Sequence, residues 1–272
     1  MLSLLAVAST SCDPATSGNG PPESDDFSSA DVCGGCHPLQ VSEWRGSIMH
    51  YAAVSPVFNA FELALREISS GLVAPNGALP NFCVRCHSPI GDYRRELADY
   101  TPGETPRPAV AQLSALAQEG VTCDFCHTIT GPDLEGSLEG DGIANLALTF
   151  EPGGTKRGPL EDPEHSPYHR AASIDYIKSS SLCGACHDVR LEKEDSIHGR
   201  PTQRFENLFT EWAQSAFAFN VNRYGRVISC QDCHMSLFPK ADPGTYPSAT
   251  IAVGGRPGRP HRSTHSPRCR CR

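Results

Sequence analysis

Aromatic residues are scarce in this chain of 272 residues: two tryptophans, seven tyrosines and eleven phenylalanines, 7% in all. Glycine and proline interrupt it often, at 24 and 23 copies. That combination excludes a large core built from side chains alone. No apolar run reaches the roughly 20 residues needed to span a bilayer; residues 2–8 (Leu-Ser-Leu-Leu-Ala-Val-Ala) are too few. Basic residues are outnumbered, 23 against 31 acidic, and the formal charge of −8 excludes a general affinity for nucleic acid. A phosphate-binding glycine loop and a Ser/His/Asp signature are both missing, and with them the commonest catalytic machinery.

What the chain has is cysteine, 13 copies. Ten of them form five C-x-x-C-H motifs: Cys33-Gly34-Gly35-Cys36-His37, Cys83-Val84-Arg85-Cys86-His87, Cys123-Asp124-Phe125-Cys126-His127, Cys183-Gly184-Ala185-Cys186-His187 and Cys230-Gln231-Asp232-Cys233-His234. Chance would give roughly 0.03 such matches at these cysteine and histidine frequencies, and the pattern is the attachment signature of a c-type haem. Each thiol adds to a haem vinyl group, and the following histidine reaches the iron from the same side. Two C-x-x-C pairs could instead form a zinc knuckle, and one could be a thioredoxin-like redox pair. Neither chemistry asks for a histidine after every second cysteine. Five haem c groups are therefore expected, attached through the ten motif cysteines, with His37, His87, His127, His187 and His234 as proximal iron ligands. Each haem brings a broad apolar surface and two propionates. The expected fold is mainly α with much irregular loop, short helices wrapped around closely packed haems.

Six histidines remain outside the motifs: His50, His165, His169, His198, His261 and His265. Five irons need at most five distal ligands, so supply nearly matches demand. His50, His169, His198, His265 and His165 are the candidates. Met235 directly follows His234 and cannot swing to the far face of the same haem; Met49 is a packing residue. Imidazole on both faces gives a low-spin iron suited to electron transfer, and loss of one leaves a position open to a small molecule. A partial repeat bears on this. Glu43-Trp44-Arg45-Gly46-Ser47-Ile48-Met49-His50 aligns with Glu211-Trp212-Ala213-Gln214-Ser215-Ala216-Phe217-Ala218, so Ala218 falls at the place of His50.

Residues 1–12 read as a signal or lipobox-like segment, in which Cys12 would be lipidated; a cleaved secretion signal is the alternative, and a basic leader is missing. Residues 13–30 are a Ser/Gly/Pro/acid-rich tether expected to be disordered. Residues 31–240 form the pentahaem domain, and 241–272 a Gly/Pro/Arg-rich tail. Cys269 and Cys271 in that tail are too close in sequence for an unstrained mutual disulfide. Helices are expected over 55–71, where Ser55 caps and Gly71 stops an amphipathic run, over 109–119, and over 205–219. Residues 131–167 hold too many glycines and prolines for any long element.

Several words around the motifs resemble the multihaem cytochrome c554 family, within the wider group related to hydroxylamine oxidoreductase. They are C-G-G-C-H-P…E-W…S-x-x-H at 33–50, G-V-T-C-D-F-C-H at 120–127, S-P-Y-H before C-G-A-C-H-D-V at 166–189, T-E-W-x-x-S at 210–215 and C-Q-D-C-H-M at 230–235. The resemblance implies a mostly helical, haem-rich fold and an electron-carrier role, with His50 and His169 as the best distal candidates. It also implies a distal histidine after the last motif, where this chain offers His261 and His265 in an unusual tail. The expected function is an exported relay of electrons between redox protein partners in the periplasm or cell envelope, held to the membrane by lipid; an extracellular location is the alternative. A reductase or oxidase of a small nitrogen or sulfur oxyanion, and a structural subunit of a larger multihaem complex, oligomer or filament, are the other classes.

Overall fold

The computed structural model describes residues 26–71, 82–97, 107–163, 166–191, 203–237, 240–255 and 258–260. Every C-x-x-C-H motif begins on a short helix: α1 (Ala30–Gly34), α5 (Phe82–His87), α7 (Cys123–Thr128), α8 (Ser180–Gly184) and α10 (Cys230–His234). Local sequence starts several of them. Ser29 accepts from Asp31 N, Thr122 from Phe125 N, and Ser229 and Asp232 form a reciprocal capping box. Within a motif the helical turn closes on itself: His37 N donates to Cys33 O at 2.8 Å and His187 N to Cys183 O at 2.7 Å. Between the motifs run α2 (Pro38–Arg45), α3 (Ile48–Tyr51), α4 (Pro56–Gly71), α6 (Pro89–Tyr93) and α9 (Leu208–Gln214). No helix among the described residues is long and apolar enough to cross a membrane.

Helix α4 occupies the span read from sequence, with Ser55 Oγ accepting from Phe58 N. The other two expected helices do not form whole. Residues 109–119 make two 3₁₀ turns, Ala109–Ala111 and Ala117–Glu119. Their backbone groups are taken by other side chains: Val110 N donates to Asn59 Oδ1, Ser114 N to Glu96 Oε2, and Gln118 Nε2 caps Leu113 O. Ala109, Leu113 and Ala117 are buried all the same. Over 205–219, the start is a strand, α9 is the middle, and a 3₁₀ turn at Ala216–Ala218 follows a break at Ser215, whose backbone is extended and whose Oγ caps that turn by accepting from Phe217 N.

Among the described residues the strands make four two-stranded ladders and no larger sheet. They pair β1 (Ile129–Pro132) with β2 (Leu148–Phe150), β3 (Thr155–Gly158) with β4 (Arg170–Ser173), β5 (Val189–Leu191) with β6 (Gln203–Glu206), and β7 (Ser248–Ala249) with β8 (Arg259–Pro260). Only the β3–β4 pair is parallel. Apolar burial is correspondingly divided. One cluster gathers Phe58, Val84, Leu97 and Leu113, a second Phe27, Ile90, Phe125 and Ile129, and a third Ala30, Val41 and Trp44. Each sits behind a motif helix.

Candidate haem-binding site

Between these clusters lies one cavity of about 2230 Å³. A pocket for a single drug-sized ligand is roughly 300–1,000 Å³. All fifteen cysteines and histidines of the five motifs line it. Large apolar side chains do too: Val32, Ile48, Phe61, Phe205 and Leu208 stand in its walls with 51–72% of their surface uncovered by protein. Isolated, such residues need no explanation; gathered around motif cysteines they form a wall that fits flat apolar groups. The ten motif cysteines are free thiols. Among the described residues, no three Cys, His, Asp or Glu side chains converge as donors to a bare ion. Burial pushes the Cys83 and Cys123 thiols up to about 12 and Cys126 up to about 11, the opposite of an activated redox pair. Cys230 moves down to about 6 because the Cys183 thiol hydrogen-bonds to it. The donor set thus fits haem c attachment.

The motif histidines share a device that no spacing revealed. His37 Nδ1 lies 2.8 Å from Ile251 O, His87 Nδ1 3.2 Å from Ala52 O, and His127 Nδ1 2.6 Å from Arg157 O. A carbonyl oxygen can only accept, so each Nδ1 carries the proton and each Nε2 keeps a lone pair for a metal. Burial holds the His87 and His127 imidazoles below their ordinary range, in the neutral form that ligation requires. His187 obeys the same rule with a different acceptor, Glu206 Oε1 at 2.9 Å, which raises its affinity for protons.

Contacts between the motifs give their spatial order. Cys123 faces Cys33, Cys186 hydrogen-bonds to Cys86, and Cys183 to Cys230. Cys126 lies close enough to Cys183 and Cys186 to oppose their ionisation. The fourth motif therefore borders the second, third and fifth, and the third borders the first.

Of the candidate distal ligands, two are described. His169 lines the cavity, its ring 6.3 Å from that of His37, with its own Nδ1 on Arg170 O at 2.9 Å. His50 packs its ring 4.3 Å from the Trp44 indole, and its Nδ1 is buried without a hydrogen bond. An orphaned buried nitrogen costs about 1–3 kcal/mol unless a ligand bond replaces the lost one. His165, His198, His261 and His265 lie outside the described residues, as does Cys12. Residues 251–253, read from sequence as tail, return to the first motif: Ile251 O holds His37, and Val253 N donates to Cys36 O.

The repeat is also spatial. Trp44 Nε1 donates to Val121 O and Trp212 Nε1 to Ile228 O, both at 2.8 Å. Val121 N returns a bond to Met49 O, and Ile228 N to Phe217 O. Ser47 and Ser215 each donate to the tryptophan carbonyl at 2.7 Å. Val121 and Ile228 each stand two residues before a motif cysteine, so Ala218 occupies the place of His50 in space as well as in sequence.

The family model "Cytochrome c554 and c-prime" matches residues 32–128, which carry the first three motifs. Among curated proteins nothing matches the sequence. A solved structure, a penta-heme cytochrome c552 from Thermochromatium tepidum, is similar with a TM-score of 0.49 and 17% identity over 78% of this chain. The chain spans 55% of that protein's length.

Proposed function

We infer that this multihaem c-type cytochrome carries five haem c groups and relays electrons between redox protein partners. The observation that carries the reading is that all five motifs open into one cavity, each bordering another. When bound, haem c supplies reversible one-electron chemistry at iron. The chain does the rest. Its ten motif cysteines would hold the groups covalently, which fixes their spacing. His37, His87, His127, His187 and His234 would be the proximal ligands, and four of these have the required tautomer set by Nδ1 partners. His169 is supported as a distal ligand by its place in the cavity wall, and His50, which does not line the cavity, by its unpaired buried nitrogen alone; His165, His198 and His265 remain the proposed source of the others. The protein works outside the cytoplasm, in the periplasm or cell envelope, where c-type haem is attached in bacteria. It is held there by lipid on Cys12 and docks with a donor and an acceptor.

One observation favours a second reading. Ala218 cannot ligate iron, so a haem served in the first unit by His50 has no such ligand in the second. That would leave room for a small nitrogen or sulfur oxyanion and an enzymatic role. Carbon monoxide titration of the reduced protein separates the two. No binding, with every haem low-spin, leaves the relay alone; one haem binding carbon monoxide, with turnover of such an oxyanion, establishes the second reading and displaces the first.

A further inference from the structure

The Nδ1 acceptors of His37, His87, His127 and His187 are not alike: three are peptide carbonyls and one, at the fourth motif, is the carboxylate of Glu206. We propose that Glu206 is a positioning residue acting through His187: it holds the Nδ1–H on a charged oxygen, makes Nε2 a stronger electron donor, and so gives the fourth haem a lower reduction potential than the haems whose histidines face carbonyls. The inference rests on the reading that the fourth motif carries a haem c. A charge-assisted hydrogen bond is about twice as strong as a neutral one. A carboxylate behind a ligating imidazole raises its basicity, and hydrogen bonding beyond the axial ligand is one of the protein's levers on haem potential.

The surroundings hold this carboxylate in place. Glu206 pairs with Val189 across the β5–β6 ladder, two residues beyond His187. On either side of it in sequence, Arg204 and Thr210 are tied to Asp188, the residue after His187: Arg204 Nη1 donates to Oδ1 at 2.8 Å and Thr210 N to Oδ2 at 3.0 Å. Asp188 is fully buried and also receives Arg190 Nε at 3.1 Å. Gly184 adds a close approach, since a Cβ there would fall 2.5 Å from the Phe209 ring and push α9 away. The fourth motif also borders the second, third and fifth, so its potential would bear on transfer among those three.

Glu206→Gln keeps the shape and an acceptor oxygen and removes the charge. In spectroelectrochemical titration of the intact haem-loaded protein, one midpoint is expected to rise by about 59 mV, a tenfold shift in a one-electron equilibrium, with the rest unmoved. Glu206→Asp, whose shorter arm weakens the bond without removing the charge, should shift the same midpoint by less, and stands as the test if the Gln variant does not accumulate. Unchanged midpoints, with mass mapping showing haem on Cys183 and Cys186, overturn the proposal and leave the relay intact. An unmodified protein with no haem on those cysteines overturns the underlying reading instead.

Discussion

Behind the first motif, Trp44 ties its indole to Val121, Ser47 closes the turn, and the unit ends at His50. Behind the fourth, Trp212, Ile228 and Ser215 repeat every bond, and the unit ends at Ala218. The scaffolds agree, and the chemistry they present does not. One offers a buried imidazole where the other offers a methyl group. One holds its motif histidine on a neutral carbonyl, the other on a carboxylate. Burial differs as well: Trp44 is 4% exposed, whereas Trp212 is only half-buried. The same backbone frame therefore presents two different chemical settings, set by one or two side chains, and on the proposed reading would give two haems of different character.

The largest expected effect breaks the frame of the second unit. Asp188→Ala removes the buried acceptor shared by Arg190 Nε, Arg204 Nη1 and Thr210 N, and leaves Arg190 only Glu139 and Asp141, at a cost of about 3–5 kcal/mol for the three lost bonds together; denaturant unfolding of the haem-loaded protein measures it. A cost below about 1 kcal/mol would mean that the network does not hold β6. Next, Trp44→Ala should cost about 3 kcal/mol, the lower end for a buried tryptophan, and Trp212→Ala distinctly less. Equal losses would erase the difference in burial between the units. His50→Ala should add one high-spin haem to the count, while Ala218→Gly leaves the count unchanged, both read by electron paramagnetic resonance. If neither substitution alters the count, His50 is not a ligand.

The smallest effect is electrostatic. Burial raises the Asp232 carboxyl, but hydrogen bonds from Tyr246, Ser229 N and Arg226 outweigh it and hold the group below its ordinary 3.8. A depressed acid contributes stability that is complete above pH 3.8 and is lost as pH falls through the lower folded value. Asp232→Asn should remove that acid limb from the stability profile; an unchanged limb would place its source elsewhere.

The residues that line the cavity together were legible because C-x-x-C-H is a local pattern: two thiols and an imidazole within five residues. Helix α4 was similarly open to reading, since Ser55 and the apolar spacing behind it lie within a few positions of the structure they cause. The Nδ1 acceptors were not. Three are backbone carbonyls, which carry no side-chain signature, and Ile251 lies 214 residues from His37. Glu206 looked like part of an amphipathic helix, because Phe205, Leu208, Phe209 and Trp212 keep helical spacing. Pairing with β5 and the pull of Asp188 on Arg204 and Thr210 overrode that preference. The 109–119 stretch misled for the same reason: Asn59 and Glu96 claim its backbone N–H groups from outside the segment, and Gln118 turns its own side chain back onto Leu113 O.

Five C-x-x-C-H motifs lining one cavity should mean five attached haems. Mass mapping of the haem-loaded protein reads this directly. Five haem-bearing peptides are expected, one for each motif; four or fewer, with an intact unmodified thiol pair in any motif, would overturn the pentahaem reading.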